Sequence, residues 1–149
     1  MPLKLTIVTA QRTVLEEAGV TKLVVPAAEG QITILPSHAA LMSSLGIGEM
    51  VAFTANGPES IAILGGFIIV AHDEVSVLAD AAERIEQIDI ERAEAARARA
   101  QARLEGRGEP PIQGGLDVLR AQFALRRALT RIRIARRRVG GVTGVPSAR

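Results

Sequence analysis

The sequence predicts two units of different class, an N-terminal β-sandwich or barrel and a C-terminal α-helical hairpin. Two observations predict this β plus α architecture. Short runs rich in Val, Ile and Thr recur as far as Ala79, and strands at this spacing without intervening helices are typical of all-β domains. After Glu83 the composition changes to Ala, Arg and other strong helix formers, interrupted by one stretch rich in Gly and Pro.

Turn-forming residues separate the predicted strands, for example Asn56-Gly57-Pro58 and His72-Asp73. In the first strand, large apolar residues occupy every second position, which directs one face of that strand towards a core. The alternating residues are Leu3, Leu5 and Ile7. The predicted strands cover residues 3–9, 20–26, 31–36, 50–55, 60–66, 67–71 and 74–79.

Two helix-forming segments, 88–104 and 116–139, predict an antiparallel helical hairpin. Asp89 lies at the beginning of the first segment, where the helix dipole favours negative charge. The connection at 105–115 contains four Gly and two Pro, which end the first helix. We therefore divide the chain into a β domain at 1–84, a helical hairpin at 85–139 and a flexible tail at 140–149.

Charge is distributed unevenly along the chain. Residues 1–84 carry four Lys or Arg against nine Asp or Glu, whereas residues 116–149 carry nine Arg against the single acidic residue Asp117. A charge asymmetry of this kind is typical of an interaction surface.

The second predicted helix carries a basic stripe as well as apolar residues on more than one side. Glu is absent from this helix, so the arginines have almost no partners at helical spacing, and we expect them to face an acidic partner. The basic stripe contains Arg120, Arg127, Arg131 and Arg138. The main apolar stripe contains Val118, Ala121, Leu125, Ala128, Leu129 and Ile132, and a flanking strip contains Leu116, Phe123 and Ile134.

The composition excludes several classes of function. Cys is absent, which excludes disulfide scaffolds, Cys-ligated zinc and thiol catalysis. No apolar run approaches the roughly 18 residues of a membrane span, and the N-terminal segment lacks the features of a signal peptide, so we expect a soluble cytosolic chain. His38 and His72 lie outside any HExxH or Ser-His-Asp pattern. The sequence therefore predicts neither a catalytic site nor a metal site.

Four motifs occur together in a specific order. They are a Gly-X-X-X-X-X-Pro-X-His loop at 30–38, Gly65-Gly66-Phe67, Ala79-Asp80 with Ala82-Glu83, and Ile88-Asp89-X-X-Arg92-Ala93. By these motifs the chain resembles, over residues 3–136, the epsilon subunits of bacterial F-type ATP synthases. It departs from the usual family pattern at Ser37 and Ala40, where members usually carry Gly and Pro, and in its long 105–115 connection.

The resemblance implies a flattened N-terminal β-sandwich that attaches to the gamma subunit and the ring of c subunits. It implies a non-catalytic rotor subunit that couples proton flow to ATP synthesis, peripheral at the cytoplasmic face of the bacterial membrane. The hairpin would lie folded on the sandwich or extend to the alpha and beta subunits, where it inhibits ATP hydrolysis. The implied stalk and ring contacts are Glu29, Gln31, Ser37, His38 and Leu41, and the implied contacts with the catalytic head are Arg120, Arg127, Arg131 and Arg138.

Some members of that family bind ATP without hydrolysing it, so the resemblance also implies a regulatory ATP, although no cofactor is required. The corresponding positions are Glu83, Ile88, Asp89, Arg92, Ala93, Arg99, Arg127 and Arg131. Several arginines that converge from two packed helices suit a polyphosphate, because guanidinium groups bind phosphate bidentately. A purely structural role is open for Asp89 as a helix cap and for Arg92 as its ion-pair partner.

Two other classes of function are compatible with the residues alone. An Arg-rich helix also binds RNA through phosphate contacts, with an affinity that falls as salt rises. Aromatic residues make up only 2% of the chain, which leaves few side chains to stack on bases, so no nucleic-acid partner is expected. An enzyme with a small-molecule substrate in the β domain would lack a catalytic constellation. Co-purification with ATP synthase subunits or with nucleic acid distinguishes these hypotheses.

Overall fold

The computed structural model describes the backbone of residues 1–139 and the side chains of residues 1–137. The predicted tail at 140–149 and the side chain of Arg138 lie outside the described residues. Strands precede helices, which confirms the predicted β plus α class. The elements are β1 (Leu3–Val8), β2 (Thr13–Val20), β3 (Lys22–Ala27), β4 (Gly30–Ile34), β5 (Leu41–Thr54), β6 (Gly57–Ala71), β7 (Glu74–Ala79), β8 (Ala82–Arg84), α1 (Ile90–Leu104) and α2 (Gly115–Val139).

The strands form one sheet in the order β2-β1-β7-β6-β5-β3-β4, and β8 pairs with β6. β1 and β7 are parallel, and the other paired strands are antiparallel. The long strands β5 and β6 connect the two layers, because β6 pairs with β8 near its beginning and with β7 near its end. One core lies between the layers. The alternating residues of β1 are fully buried in it, as the sequence predicts.

Strand β6 continues through Gly65 and Gly66, where the sequence predicts two separate runs. Both glycines have a positive φ, 91° and 125° respectively. A Cβ on Gly66 would lie 2.2 Å from the carbonyl oxygen of Leu78 on β7. Glycine is required here because the backbones of two strands approach too closely for any side chain.

The structure contains strand segments that the sequence did not predict. β2 is an edge strand whose pairing with β1 contains two irregularities, so its apolar residues do not alternate regularly. β5 begins at Leu41 instead of residue 50, and the added half contains Gly46 and Gly48. A Cβ on Gly48 would lie 2.8 Å from the Cβ of Pro26, so this glycine is needed for close packing of β5 on β3. β8 has three residues, too few for a periodic signal.

Helix α1 begins at Ile90, two residues later than predicted, because a short 3-10 turn at Ile85–Gln87 precedes it. Asp89 is the N-cap of α1, and its side chain accepts a hydrogen bond from the backbone N–H of Arg92. This interaction satisfies one of the backbone donors that every helix leaves free at its first turn. Asp89 therefore determines where the hairpin begins.

The hairpin lies on the outer face of the sandwich over a small apolar cluster. Ala62 of β6 and Ile134 and Ala135 of α2 are buried in this cluster with Ile88. Between the two helices the buried residues are mostly alanines, which allow close approach but bury little apolar area. These alanines are Ala93, Ala100, Ala121 and Ala128.

Ion pairs add to this attachment. Glu49 of β5 accepts from Arg137 of α2 through both carboxylate oxygens, each 2.6 Å from Nη1. Glu94 of α1 and Arg136 of α2 are 2.9 Å apart, and this pair connects the two helices. The attachment of α2 to the sandwich thus combines a small apolar cluster with charged pairs.

The flanking strip of α2 meets two environments. Ile134 packs on the sandwich, whereas Leu116 and Phe123, nearer the beginning of α2, are exposed. Leu129, which the sequence places on the main apolar stripe, is 46% exposed, so this part of the stripe is not buried in the folded chain.

Candidate functional site

A cavity of about 970 Å³, which we call the interhelical cavity, lies where α1 and α2 meet the sandwich. Seven of the eight residues that the sequence assigned to a nucleotide line it, and Ile88 instead packs in the apolar cluster beneath the hairpin. The seven are Glu83, Asp89, Arg92, Ala93, Arg99, Arg127 and Arg131. The fold therefore brings together residues from the end of β8, from α1 and from α2.

The first turn of α1 forms one wall of this cavity. The carboxylate of Asp89 lies 3.1 Å from the backbone nitrogen of Arg92 and caps the helix. Arg92 forms no ion pair with Asp89 or with any other described carboxylate within 4.0 Å. We call an arginine without such a partner among residues 1–137 uncommitted. Of the two structural roles left open by the sequence, the structure shows the cap for Asp89 and does not show the ion pair for Arg92.

Glu83 neutralises one of the cavity's arginines. Its Oε1 lies 2.6 Å from Nη2 and 2.7 Å from Nε of Arg131, and both side chains are mostly buried. Arg92, Arg99 and Arg127 make no such pair with any residue that the structure describes. Three guanidinium groups therefore surround a cavity that is large enough for a small ligand, and this arrangement favours an anion with several negative charges.

The cavity is also lined by two glutamines that the sequence patterns do not indicate. Gln11, from the turn between β1 and β2, and Gln87, from the turn before α1, both line it. Gln87 Oε1 accepts hydrogen bonds from Arg12 Nη2 at 3.1 Å and from the backbone N–H of Arg84 at 3.0 Å. No local signal could reveal this contact, because Arg12 and Gln87 are 75 residues apart.

The predicted stalk and ring contacts fall in three places. Glu29 and Gln31, at the turn between β3 and β4, line a cavity of about 480 Å³ together with Met42. Ser37 and His38 lie in the loop after β4. Leu41, the fifth predicted contact, packs partly against the sandwich core.

The backbone conformation of the loop bears on the departure from the family pattern at Ser37. Ser37 has a φ of 66°, a region that favours glycine, which is the residue usual at this position. The backbone N–H of Ser37 donates to Asp73 Oδ1 at 2.6 Å, and this hydrogen bond holds the loop against the turn between β6 and β7. His38 Nδ1 lies 2.7 Å from the carbonyl oxygen of Ala39.

An exposed apolar patch lies on the outer face of β5, β6 and β7. Its members are Met42, Phe67, Ile69 and Leu78, which are 71%, 53%, 36% and 47% exposed. Met42 is directly opposite Ile69, and Phe67 is directly opposite Leu78, so the four side chains are contiguous. The uninterrupted apolar run at 67–70 was the available sequence signal, since only alternate residues of a strand reach one core. Such a patch is typical of a partner surface.

The basic stripe of α2 is partly neutralised within the chain. Arg120 is 3.7 Å from Asp117 on the same helix, and Arg131 pairs with Glu83. Arg120 therefore has one acidic partner at helical spacing, whereas the partner of Arg131 lies outside the helix. The helical pattern could not reveal Glu83, because that residue comes from the sandwich.

Three further observations concern residues 1–139. None of their helices is both long enough and apolar enough to cross a membrane. No group of three or more His, Cys, Asp or Glu side chains within this part of the chain is placed to hold a metal ion. In the connection between the helices, a hydrogen bond from Arg107 lowers the pKa of the Glu105 carboxyl, at a distance from the interhelical cavity.

The chain matches two sequence models of one family. Residues 2–85 match the model described as ATP synthase, Delta/Epsilon chain, beta-sandwich domain, and residues 86–136 match the corresponding long alpha-helix domain. The ATP synthase epsilon chain of Symbiobacterium thermophilum is 42% identical over 133 residues, which are 89% of this chain and 92% of that relative.

Two solved structures share the fold. A chain of the Euglena gracilis mitochondrial ATP synthase (OSCP/F1/c-ring) has a TM-score of 0.72 at 21% identity, covering 87% of this chain and 78% of that one. A chain of the Tetrahymena thermophila mitochondrial ATP synthase (central stalk/c-ring) has a TM-score of 0.60 at 13% identity, covering 91% and 97%. With both domains of the family matched in order along the chain, this protein belongs to the ATP synthase delta/epsilon chain family.

Proposed function

We propose that this chain is a non-catalytic rotor subunit in the central stalk of a proton-translocating F-type ATP synthase. It links the gamma subunit to the c-ring and so couples proton flow to ATP synthesis, as a peripheral protein at the cytoplasmic face of the bacterial membrane. Membership of the family supports this proposal, as does the assembly of the Tetrahymena neighbour, which is described as central stalk and c-ring.

The exposed apolar patch on the sandwich is the observation that carries the proposal. Met42 belongs to this patch and also lines the cavity that contains Glu29 and Gln31. Large apolar side chains on a sheet face are stabilised when a partner covers them. We assign this face to the gamma subunit and the predicted contact residues beside it to the stalk and the ring.

Substitution within the patch tests the attachment. Phe67→Glu in the full-length chain should weaken binding to gamma from the same organism by about tenfold to a hundredfold, since the charge prevents burial of one large side chain. Leu119→Glu is a matched control, because Leu119 is equally exposed but lies on α2. Unchanged binding of a folded Phe67→Glu variant would contradict the assignment of this face.

We also propose that the interhelical cavity binds ATP as a regulatory ligand. The three uncommitted arginines, Arg92, Arg99 and Arg127, support this proposal, because a triphosphate would neutralise them. Calorimetric titration with ATP should show binding that Arg92→Gln or Arg127→Gln weakens by about tenfold. Arg120→Gln, outside the cavity, is the control. Absence of heat at millimolar ATP would contradict the proposal.

In its regulatory role, the hairpin inhibits ATP hydrolysis when it leaves the sandwich and reaches the alpha and beta subunits. Glu49→Gln weakens the attachment of α2 and should increase inhibition in the assembled complex. Replacement of the four arginines by Ala should relieve inhibition, although each exposed pair contributes only about 0.2–1 kcal/mol. The four are Arg120, Arg127, Arg131 and Arg138. Unchanged ATPase rates in both variants, with the subunit still bound, would contradict this role.

A further inference from the structure

A third cavity, of about 690 Å³, lies between α2 and β5 on the other side of α2 from the interhelical cavity. Ile47 of β5 contributes one part of its lining, and the remaining residues belong to α2. They recur at intervals of three and four residues, so they form one face of the helix. Neither the family resemblance nor the proposed nucleotide site uses this face.

Four arginines surround this cavity, and none of the lining residues among residues 1–137 carries a carboxylate. Arg136 and Arg137 are held in place by Glu94 and Glu49. Arg126 and Arg133 form no ion pair or hydrogen bond with the side chains of residues 1–137, and both are exposed at the rim. Two turns of helix, about 10 Å, separate them, so two long flexible side chains can converge on one group between them. The uncommitted charge at this site therefore favours an anion.

The floor of the cavity is apolar. Ile47, Leu129 and Ile132 line it, and Leu129 stays largely exposed although it is a large apolar residue. Thr130 lies between the two uncommitted arginines in the sequence and also lines the cavity, but it is only 7% exposed. The interhelical cavity, in contrast, is lined by carboxylates, glutamines and alanines besides its arginines.

We propose that this cavity binds a single phosphate-bearing lipid. Arg126 and Arg133 hold the phosphate through charge-assisted hydrogen bonds, and the acyl chain lies along Ile47, Leu129 and Ile132. A bare anion would leave the apolar floor in contact with water, and a neutral amphiphile would leave both arginines without a partner. The two arginines together with the apolar floor therefore favour a ligand that has both an anionic head group and an apolar chain.

Titration of the full-length chain with short-chain lipids below their micelle concentration tests this site. The probes are dihexanoyl phosphatidic acid, dihexanoyl phosphatidylcholine and inorganic phosphate. We expect the phosphatidic acid to bind most tightly, and Arg126→Gln/Arg133→Gln to weaken it by about tenfold or more. The control variant Arg120→Gln/Arg107→Gln removes the same charge from exposed positions outside the cavity and should bind normally. Thermal unfolding verifies that each variant is folded.

Leu129→Ser tests the apolar floor separately. It should weaken the lipid and leave the weak binding of inorganic phosphate unchanged. Equal affinity for inorganic phosphate and phosphatidic acid would overturn the amphiphile assignment, and equal affinity for phosphatidylcholine would overturn the role of the arginines. Flotation with phosphatidic acid vesicles distinguishes a membrane surface from a single lipid. Binding to vesicles without binding to the monomeric lipid would overturn the cavity as the site.

Discussion

The ion pair between Glu49 and Arg137 should determine how firmly α2 is attached to the sandwich. The Glu49 side chain is only 6% exposed, and that of Arg137 is 27% exposed. Arg137→Gln leaves the Glu49 carboxylate buried without its partner. Removal of one member of a fully buried pair costs about 3–5 kcal/mol, and partial exposure of Arg137 lets water replace some of the interaction. We therefore expect a loss of about 2–3 kcal/mol in the free energy of unfolding.

The double variant should be less damaging than the single one. In Glu49→Gln/Arg137→Gln neither side chain is charged, so the buried carboxylate no longer has to be desolvated without a partner. A thermodynamic cycle of the two single variants and the double variant should give a coupling energy of about 1–3 kcal/mol. Arg133→Gln, on the same helix and without an ion pair among residues 1–137, should change stability by less than about 0.5 kcal/mol.

Urea unfolding measures these changes, and amide hydrogen exchange identifies where they act. If the pair attaches α2, exchange in α2 should accelerate more than exchange in β1 or β7, because local opening precedes global unfolding. Additive effects of the two single substitutions, within about 0.3–0.5 kcal/mol, would refute the reasoning. Uniform acceleration throughout the chain would also refute it, since the pair would then stabilise the sandwich and not the attachment of the helix.

Three further predictions concern the free energy of unfolding measured in urea. Ser37→Gly should stabilise the chain by about 0.5–1 kcal/mol, since glycine accepts the φ of 66° and keeps the backbone hydrogen bond to Asp73; destabilisation would contradict this. Gly66→Ala should cost more than about 3 kcal/mol, because its Cβ would collide with Leu78, and a cost below 1 kcal/mol would show that β6 and β7 separate easily. Asp89→Ala should cost about 1 kcal/mol by removing the cap of α1, whereas Asp89→Asn should restore most of it; equal losses would argue against capping.

Much of the secondary structure was predictable from local sequence. The alternation in β1 and the helix formers on both sides of the 105–115 connection follow from short-range periodicity. β2 was not predictable, because irregular pairing with β1 disturbs the alternation on which such a prediction depends. The first half of β5 was missed for a related reason, since Gly46 and Gly48 are poor strand formers that the sheet accommodates through packing against Ala27 and Pro26.

Local sequence patterns are enough to identify the residues that could form the candidate sites. Helical spacing placed the arginines of α2 on defined faces, and the motif at 88–93 located the beginning of α1 within two residues. Which arginines form ion pairs within the chain, and which could bind an external anion, depends on the tertiary structure. Glu83 neutralises Arg131 across 48 residues of sequence, and Glu49 neutralises Arg137 across 88, whereas Arg127 and Arg133 receive no such partner among residues 1–137. Periodicity reports the face on which a side chain lies, but the charge opposite that face depends on how two distant segments pack together.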